Sequence, residues 1–433
     1  YNANIFTNLL LGESQTTIVA GANNTNEIRS RRGRGWFGGQ NAGITASENL
    51  GVNTNIDLTG KLEKKDEKTE LLLGGDATLN HSVNDTRTQS QKESYSEEAT
   101  YIDQDSTNKV THAWDAQMRL EMEYQIDSMN KVILRPQISY SNSRYAQTND
   151  YTYERDSVLI NDGYQNQNSL QEEISAAIRA TYNHKFAKPG RSLTMRANVT
   201  FKNTKGETDT YAFDNLTNAA LVDQNTLSHN NALSYSLRTS FVEPIYGKNH
   251  FIETVLSLSG SNRNSVKDQY SMDSITGNYE YDSVYSNALT NDMYTEQLEL
   301  NYRWVSEKMD LTAGARVLAT QTHSTTYYGN TLARDTLYNR WNWSPNVRFR
   351  YKFGQKEFAR VVYRGNVNQP TIQQMEPVRN NSDAMNETVG NLGLNPAFSH
   401  NIFAMYSKFN QEKFSSIMTG FRASLTQDAL TNN

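Results

Sequence analysis

An all-β fold, an antiparallel transmembrane β-barrel, is predicted by three observations. The first is an unbroken alternation over residues 114–126. Trp114, Ala116, Met118, Leu120, Met122, Tyr124 and Ile126 are apolar, and the residues between them are polar or charged. A period of two marks a strand with one apolar face. The second is an aromatic frame. Trp114 and Tyr124 stand ten residues apart on that face, which at about 3.3 Å per residue and a tilt near 40° rises roughly 25 Å. That is the height of the apolar band on an outer-membrane barrel, whose edges carry aromatic girdles. The third is a sorting of connections into short and long that alternates along the chain.

Composition agrees with this class. The 433 residues exceed an ordinary single soluble core, and hydrophobic content is only 36%. Yet the chain carries 25 Tyr and 15 Phe, which excludes an aromatic-poor disordered chain. No apolar run reaches the length of a transmembrane helix. A barrel escapes hydropathy scans because only alternate residues of short segments face lipid. Cysteine is absent, which removes disulfides and thiolate metal sites. The net charge of −5 gives no nucleic-acid signal. The seven prolines are few for a chain so rich in turns, as expected where most strands pair on both edges.

Taken in order, the short turns fall at residues 12–14, 64–67, 127–130, 188–190, 246–249, 306–308, 354–356 and 411–413, each built of charged or turn-forming residues. The long polar stretches between them are 29–42, 89–105, 145–168, 212–226, 268–286, 327–336 and 369–399. Short periplasmic turns and long external loops are the asymmetry of outer-membrane barrels. About sixteen strands in eight hairpins result, from 2–11 with 15–26 to 400–408 with 413–426. The frame repeats at Tyr294 with Trp304 and at Trp343 with Phe353. Strand preference alone accounts for aromatics being present but not for their spacing. Glu296 interrupts the apolar face and is expected at its outer edge. The whole of 1–433 reads as one barrel domain, continued by sequence on both sides, with at least one strand expected before Tyr1.

The opposite face is rich in arginine. By the alternation Arg119, Arg135, Arg179, Arg196, Arg238, Arg303, Arg316, Arg348 and Arg360 point into a lumen. They can pair with inward Asp115, Glu121, Glu123 or Glu299. Alternatively, some of them seat a plug encoded elsewhere, since arginine suits bidentate capture of carboxylates. The basic, glycine-rich stretch 29–39 holds Arg31, Arg32, Arg34 and Trp36. It reads either as a flexible external loop or as a contact for lipopolysaccharide phosphates. No catalytic constellation appears. The seven histidines are scattered without metal-ligand spacing, and no phosphate-binding loop follows a strand-to-helix pattern. No cofactor, nucleic acid or enzyme activity is implied.

One region carries a resemblance. Tyr363-Arg364-Gly365, Asn368-Gln369-Pro370-Thr371, Gly390-Asn391, Leu394-Asn395-Pro396 and Phe398-Ser399-His400-Asn401 are similar to the barrel domain of TonB-dependent receptors. The similarity is greatest to the Bacteroidetes outer membrane protein β-barrel branch. In that branch a Gly-Asn-Pro-x-Leu-x-Pro-Glu stretch precedes a strand. Here its first Pro and final Glu are missing, for the stretch reads Gly390-Asn391-Leu392-Gly393-Leu394-Asn395-Pro396-Ala397. The hairpin around Asp127 and residues 21–26 also resemble that branch.

The resemblance implies a 22-stranded barrel with an N-terminal plug and energy delivered through TonB, of which this chain holds strands two to seventeen. It implies uptake of a glycan, peptide or metal chelate, contacts with outer-membrane lipid and lipopolysaccharide, and room for a surface lipoprotein partner. The alternative is a non-transporting surface receptor, adhesin or assembly scaffold. A TonB-binding segment upstream of Tyr1 would separate the two.

Overall fold

The computed structural model describes residues 2–12, 14–23, 44–57, 70–95, 99–329, 331–368, 396–411 and 414–429, together with 370, 374, 391 and 394. The strands are β1 (Asn2–Leu11), β2 (Ser14–Asn23), β3 (Ile44–Asp57), β4 (Glu70–Tyr95), β5 (Thr100–Gln125), β6 (Asn130–Arg155), β7 (Val158–Lys185), β8 (Ser192–Asp214) and β9 (Ala219–Tyr246). They continue with β10 (His250–Met272), β11 (Tyr279–Tyr281), β12 (Asn287–Val305), β13 (Met309–Tyr328), β14 (Thr331–Gly354), β15 (Glu357–Asn368), β16 (Ala397–Asn410) and β17 (Ser415–Gln427). All lie in one antiparallel sheet in which each long strand pairs with its sequence neighbours. The three-residue β11 is an addition that pairs with β10. Among the described residues β1 pairs with β2 alone and β17 with β16 alone, so the sheet is an up-and-down meander with two free edges.

Register fixes which residues share a face, because directly opposed residues point the same way. Met118 is opposite Ala77 and Ile138, and Leu298 is opposite Leu256 and Val317. Carried from strand to strand, these pairs form one apolar face. Its large side chains are exposed: Met118 46%, Ile138 52%, Leu298 48% and Val317 45%. The buried apolar residues of the described sheet are few and mostly small, such as Ala99, Ala212 and Ala397. A water-soluble protein buries such residues, and an apolar face this large marks contact with another apolar phase. Trp114, Tyr140, Tyr235 and Tyr294 edge the face at one end. Tyr124, Tyr182, Trp304 and Phe353 edge it near the short turns. His81 stacks on Trp114 at 4.3 Å, and His250 stacks on Trp304 at 5.5 Å.

Glu296 sits on this face, exposed, opposite Leu258 and Ala319. It lies one pleat inside Tyr294. A carboxylate there is close enough to the aromatic edge to reach the polar boundary.

Among the described residues most of the long polar stretches are not open loops. Residues 89–95 continue β4, and 100–105 begin β5. Residues 145–155 and 158–168 belong to β6 and β7, joined by Asp156 and Ser157 alone. Both of these have positive φ, 49° and 66°, the geometry of a tight hairpin turn. Residues 212–226 and 327–336 are likewise mostly strand. The stretch 268–286 contains β11. The stretch 29–42 lies outside the described residues, as does most of 369–396. The sequence hid these strands because a ladder that stands in water on both faces needs no apolar side chains. With no contrast between faces there is no period to read. From Trp114 to Thr100 the sheet rises roughly 35 Å beyond the apolar band at about 3.3 Å per residue and the usual tilt.

Among the described residues the opposite connections are short, as expected, while the turn expected at 64–67 lies outside those residues, as do 412 and 413. At residues 126–129 the Asp127 carboxylate accepts the backbone N–H groups of Met129 and Asn130, both at 2.7 Å. Hydrogen bonds from the Asn130 side chain and these amides hold the Asp127 carboxyl below its ordinary value. A depressed carboxylate pKa stabilises the fold above the unfolded value, and that support is lost as pH falls through the folded one. Protection of the Met129 and Asn130 amides against hydrogen exchange is therefore expected to drop on acidification below about 4. In Asp127→Asn that acid dependence should vanish, which amide exchange by mass spectrometry checks.

Candidate functional site: the inner face of the sheet

The face opposite the apolar rows collects charge, and strand order decides which charges meet. On β4 and β5, Arg119 is opposite Asp76 and Gln137. Its Nε and Nη2 donate to Asp76 Oδ2 at 3.1 and 2.8 Å. On β6, Arg135 Nη2 reaches Glu121 Oε1 at 2.5 Å and Glu123 Oε1 at 3.8 Å, and Lys131 Nζ reaches Glu123 Oε2 at 2.7 Å. These groups line a hollow of about 1480 Å³ on the inner side of β1 to β8. Asp115 shares the face, opposite Asn80 and Ser141, with no ion-pair partner among the described residues. Lys202 and Glu173 pair at 2.8 Å.

Further round, acids thin out. Arg179 is opposite Arg135 and Asn198. Arg196 is opposite Arg238. Arg238 lies 3.6 Å from Glu299 and donates to Ser257 at 3.4 Å. Arg316 stands opposite Glu299 but donates to neutral acceptors, Ser344 Oγ at 2.6 Å and Asn366 Oδ1 at 3.0 Å. Arg303 and Arg348 both stand opposite Thr312. Arg360 stands opposite Arg350 and Met405. Arg179, Arg196, Arg303, Arg348 and Arg360 make no ion pair among the described residues. Arg31, Arg32, Arg34 and Trp36 lie outside those residues.

The alternation thus places all nine arginines and Asp115, Glu121 and Glu123 on one face. It also supplied Glu121 and Glu123 as partners for Arg135 and Glu299 for Arg238, but not the partner of Arg119. Asp76 was missed because β4 carries glycine at 74 and 75, which blurs its period. Arg340, Arg350 and Arg364 share the parity of Arg348 and Arg360, and a full reading of β14 and β15 would have found them. No group of His, Asp and Glu among the described residues could hold a metal ion. A wall of hydrated guanidinium and carboxylate groups can bind and guide polar solutes.

A family model of outer membrane β-barrel proteins matches residues 184–432, more than half of the sequence. The chain belongs to the outer membrane protein β-barrel family. Its apolar face is therefore the lipid face, its inner face the lumen, and its location the bacterial outer membrane. No curated protein is similar in sequence at a significant level. Among solved structures, the ferric yersiniabactin uptake receptor FyuA from Yersinia pestis is similar at 8% identity and a TM-score of 0.43, over 98% of this chain and 69% of that one. The open form of the ferric-catecholate import receptor Fiu from E. coli is similar at 9% identity and a TM-score of 0.37, over 98% and 78%. The translocator domain of the autotransporter NalP from Neisseria meningitidis is similar at 13% identity and a TM-score of 0.22, over 71% and 84%.

Proposed function

We propose that this chain is the barrel portion of a TonB-dependent outer-membrane transporter, of the Bacteroidetes branch that residues 363–401 resemble. It would take up a glycan, peptide or metal chelate too large for porins, with energy delivered through TonB. The observation that carries this reading is the lumen face. Sixteen long strands with a charged inner face enclose more space than side chains can fill, so the lumen must conduct or hold another element. Inner arginines that make no ion pair among the described residues favour an element that brings carboxylates or backbone carbonyls, as a plug would. Outer-membrane lipid and lipopolysaccharide surround the barrel on this reading, TonB engages a segment outside this sequence, and a surface lipoprotein has the tall hairpins to dock on.

A second reading, surface capture without import, has one observation in its favour: the hairpins that rise far above the lipid band. Uptake separates the two. Cells carrying the full-length gene should accumulate a labelled oligosaccharide or peptide nutrient, and a protonophore or loss of TonB should abolish accumulation while leaving surface binding intact. Binding with no energised accumulation of any nutrient tested would favour the capture reading.

A further inference from the structure

The lumen wall is electrically lopsided. On β4 to β6, Asp76, Glu121 and Glu123 neutralise Arg119, Arg135 and Lys131. On β13 to β16 the inner face presents one acid among the described residues, Asp310. Against it stand seven arginines: Arg334 lies above the lipid band, opposite Thr326, and the other six fall into a ladder when register projects them onto β14. Arg340 is the top rung. Arg316 is opposite Ser344, and Arg364 is opposite Asn346. Arg348 and Arg350 follow, with Arg360 opposite Arg350. The rungs thus run from position 340 to 350, and ten residues rise roughly 25 Å at the usual tilt, the full height of the lipid band. Trp343 and Phe353 mark the same height on the outer face.

Like charges directly opposed across a sheet are destabilising. Arg135 opposite Arg179 and Arg196 opposite Arg238 each have an acid close to one member. Arg350 opposite Arg360 faces Asp310 across β13 but makes no ion pair among the described residues, and the Arg350 guanidinium lies against the Phe358 ring at 4.4 Å. Arg340 holds one buried Nη1 with no hydrogen-bond partner among the described residues. A wall kept so cationic along its whole height is complementary to an anion that visits it.

Resting on the transport reading above, we infer that the β13–β16 wall is a track for an anionic solute bearing several carboxylate, sulfate or phosphate groups, handed from rung to rung across the membrane. Guanidinium suits this because its planar fork binds each such group in two-point fashion. Several weak rungs also allow release at either end, which a single tight site would not.

The test uses the full-length protein in detergent, titrated with tetragalacturonate and with neutral maltotetraose. Tetragalacturonate should bind at least about tenfold more tightly, with the gap closing as salt screens the wall. The combined Arg348→Gln, Arg350→Gln and Arg360→Gln variant should lose about tenfold or more of that affinity, while lysine at the same three positions, which keeps the charge but not the two-point contacts, should lose less. Arg360→Gln alone should show a smaller loss if the triple variant fails to fold, judged by heat-modifiable migration. Arg87→Gln, on the opposite face of β4 and beyond the lipid band, should leave binding unchanged. Equal handling of the two probes, including binding of neither, overturns the track. So does a glutamine variant that loses stability while the native protein binds no probe, because an acidic segment of the same polypeptide then occupies the arginines. Energised uptake is measured separately. Binding lost in the glutamine variant without protonophore-sensitive uptake in cells keeps the track and removes transport, whereas energised uptake equal for both probes does the reverse.

Discussion

Arginine in place of Met118 is expected to destabilise the folded protein in a bilayer by about 2–4 kcal/mol, the cost of a cation at the membrane midplane on a lipid-facing strand. Met118 lies midway between Trp114 and Tyr124, points outward opposite Ala77 and Ile138, and is 46% exposed in the absence of lipid. The neighbouring Gln117 points inward, opposite Thr78 and Ser139. Arginine there joins a hydrated wall and is expected to cost well under about 1 kcal/mol, in the range of ordinary exposed substitutions. The paired comparison is informative because one position along the chain reverses the outcome. Urea unfolding in lipid vesicles, followed by tryptophan fluorescence, reads both. Equal effects at 117 and 118 would mean that the two faces do not see different solvents.

Valine in place of Gly314 is expected to destabilise by about 2–4 kcal/mol, through overpacking and a broken polar network. Gly314 is opposite Asn301 and Asn346 in the middle of the sheet. A Cβ at Gly314 would overlap the Leu300 carbonyl oxygen and the Asn301 side chain. The backbone carbonyl cannot swing aside, so the strands must part. Asn301 is 5% exposed, donates to Glu299 at 2.8 Å and accepts from Asn346 at 3.3 Å. Displacing it also frees Glu299 from its place near Arg238. Gly260 provides the comparison. There the crowding atoms are the ring tip of Tyr235, which covers the glycine from the next strand. A tyrosine at the lipid edge can tilt away, so Gly260→Ala should cost clearly less. The midpoint of urea unfolding should fall for Gly314→Val with its slope unchanged.

Much of the fold was legible because a membrane strand is written in a simple code. Trp114 to Ile126 alternate without error, and the same phase predicts the inward set from Arg119 to Arg360. The short turns were legible for a related reason. Asp127 and Asn130 are turn formers with a specific backbone task. What the sequence concealed was the height of the sheet. In β6 and β7 the residues 147–150 and 161–168 are mostly polar on both faces, so only the hydrogen-bond ladder to β5 and β8 reveals them as strand. Which lumen charges pair was only partly legible, for Glu121, Glu123 and Glu299 were candidates and Asp76 was not. Alternation gives the face of Arg119 but not the register that brings Asp76 to it. The contrast between the neutral wall at β4 to β6 and the cationic wall at β13 to β16 emerges only when register lines up Arg316 with Ser344 and Arg364 with Asn346.

The central claim is that alternate residues of each strand face lipid and lumen. The chain has no native cysteine, so single cysteines placed from 114 to 126 report their own surroundings. Each is labelled with an environment-sensitive fluorophore in the full-length protein, reconstituted in vesicles that carry a bilayer-soluble nitroxide quencher. Strong quenching at 116, 118, 120 and 122 with weak quenching at 117, 119, 121 and 123 is the expected result. Quenching without a two-residue period, or a protein that stays monodisperse with no detergent at all, would contradict it.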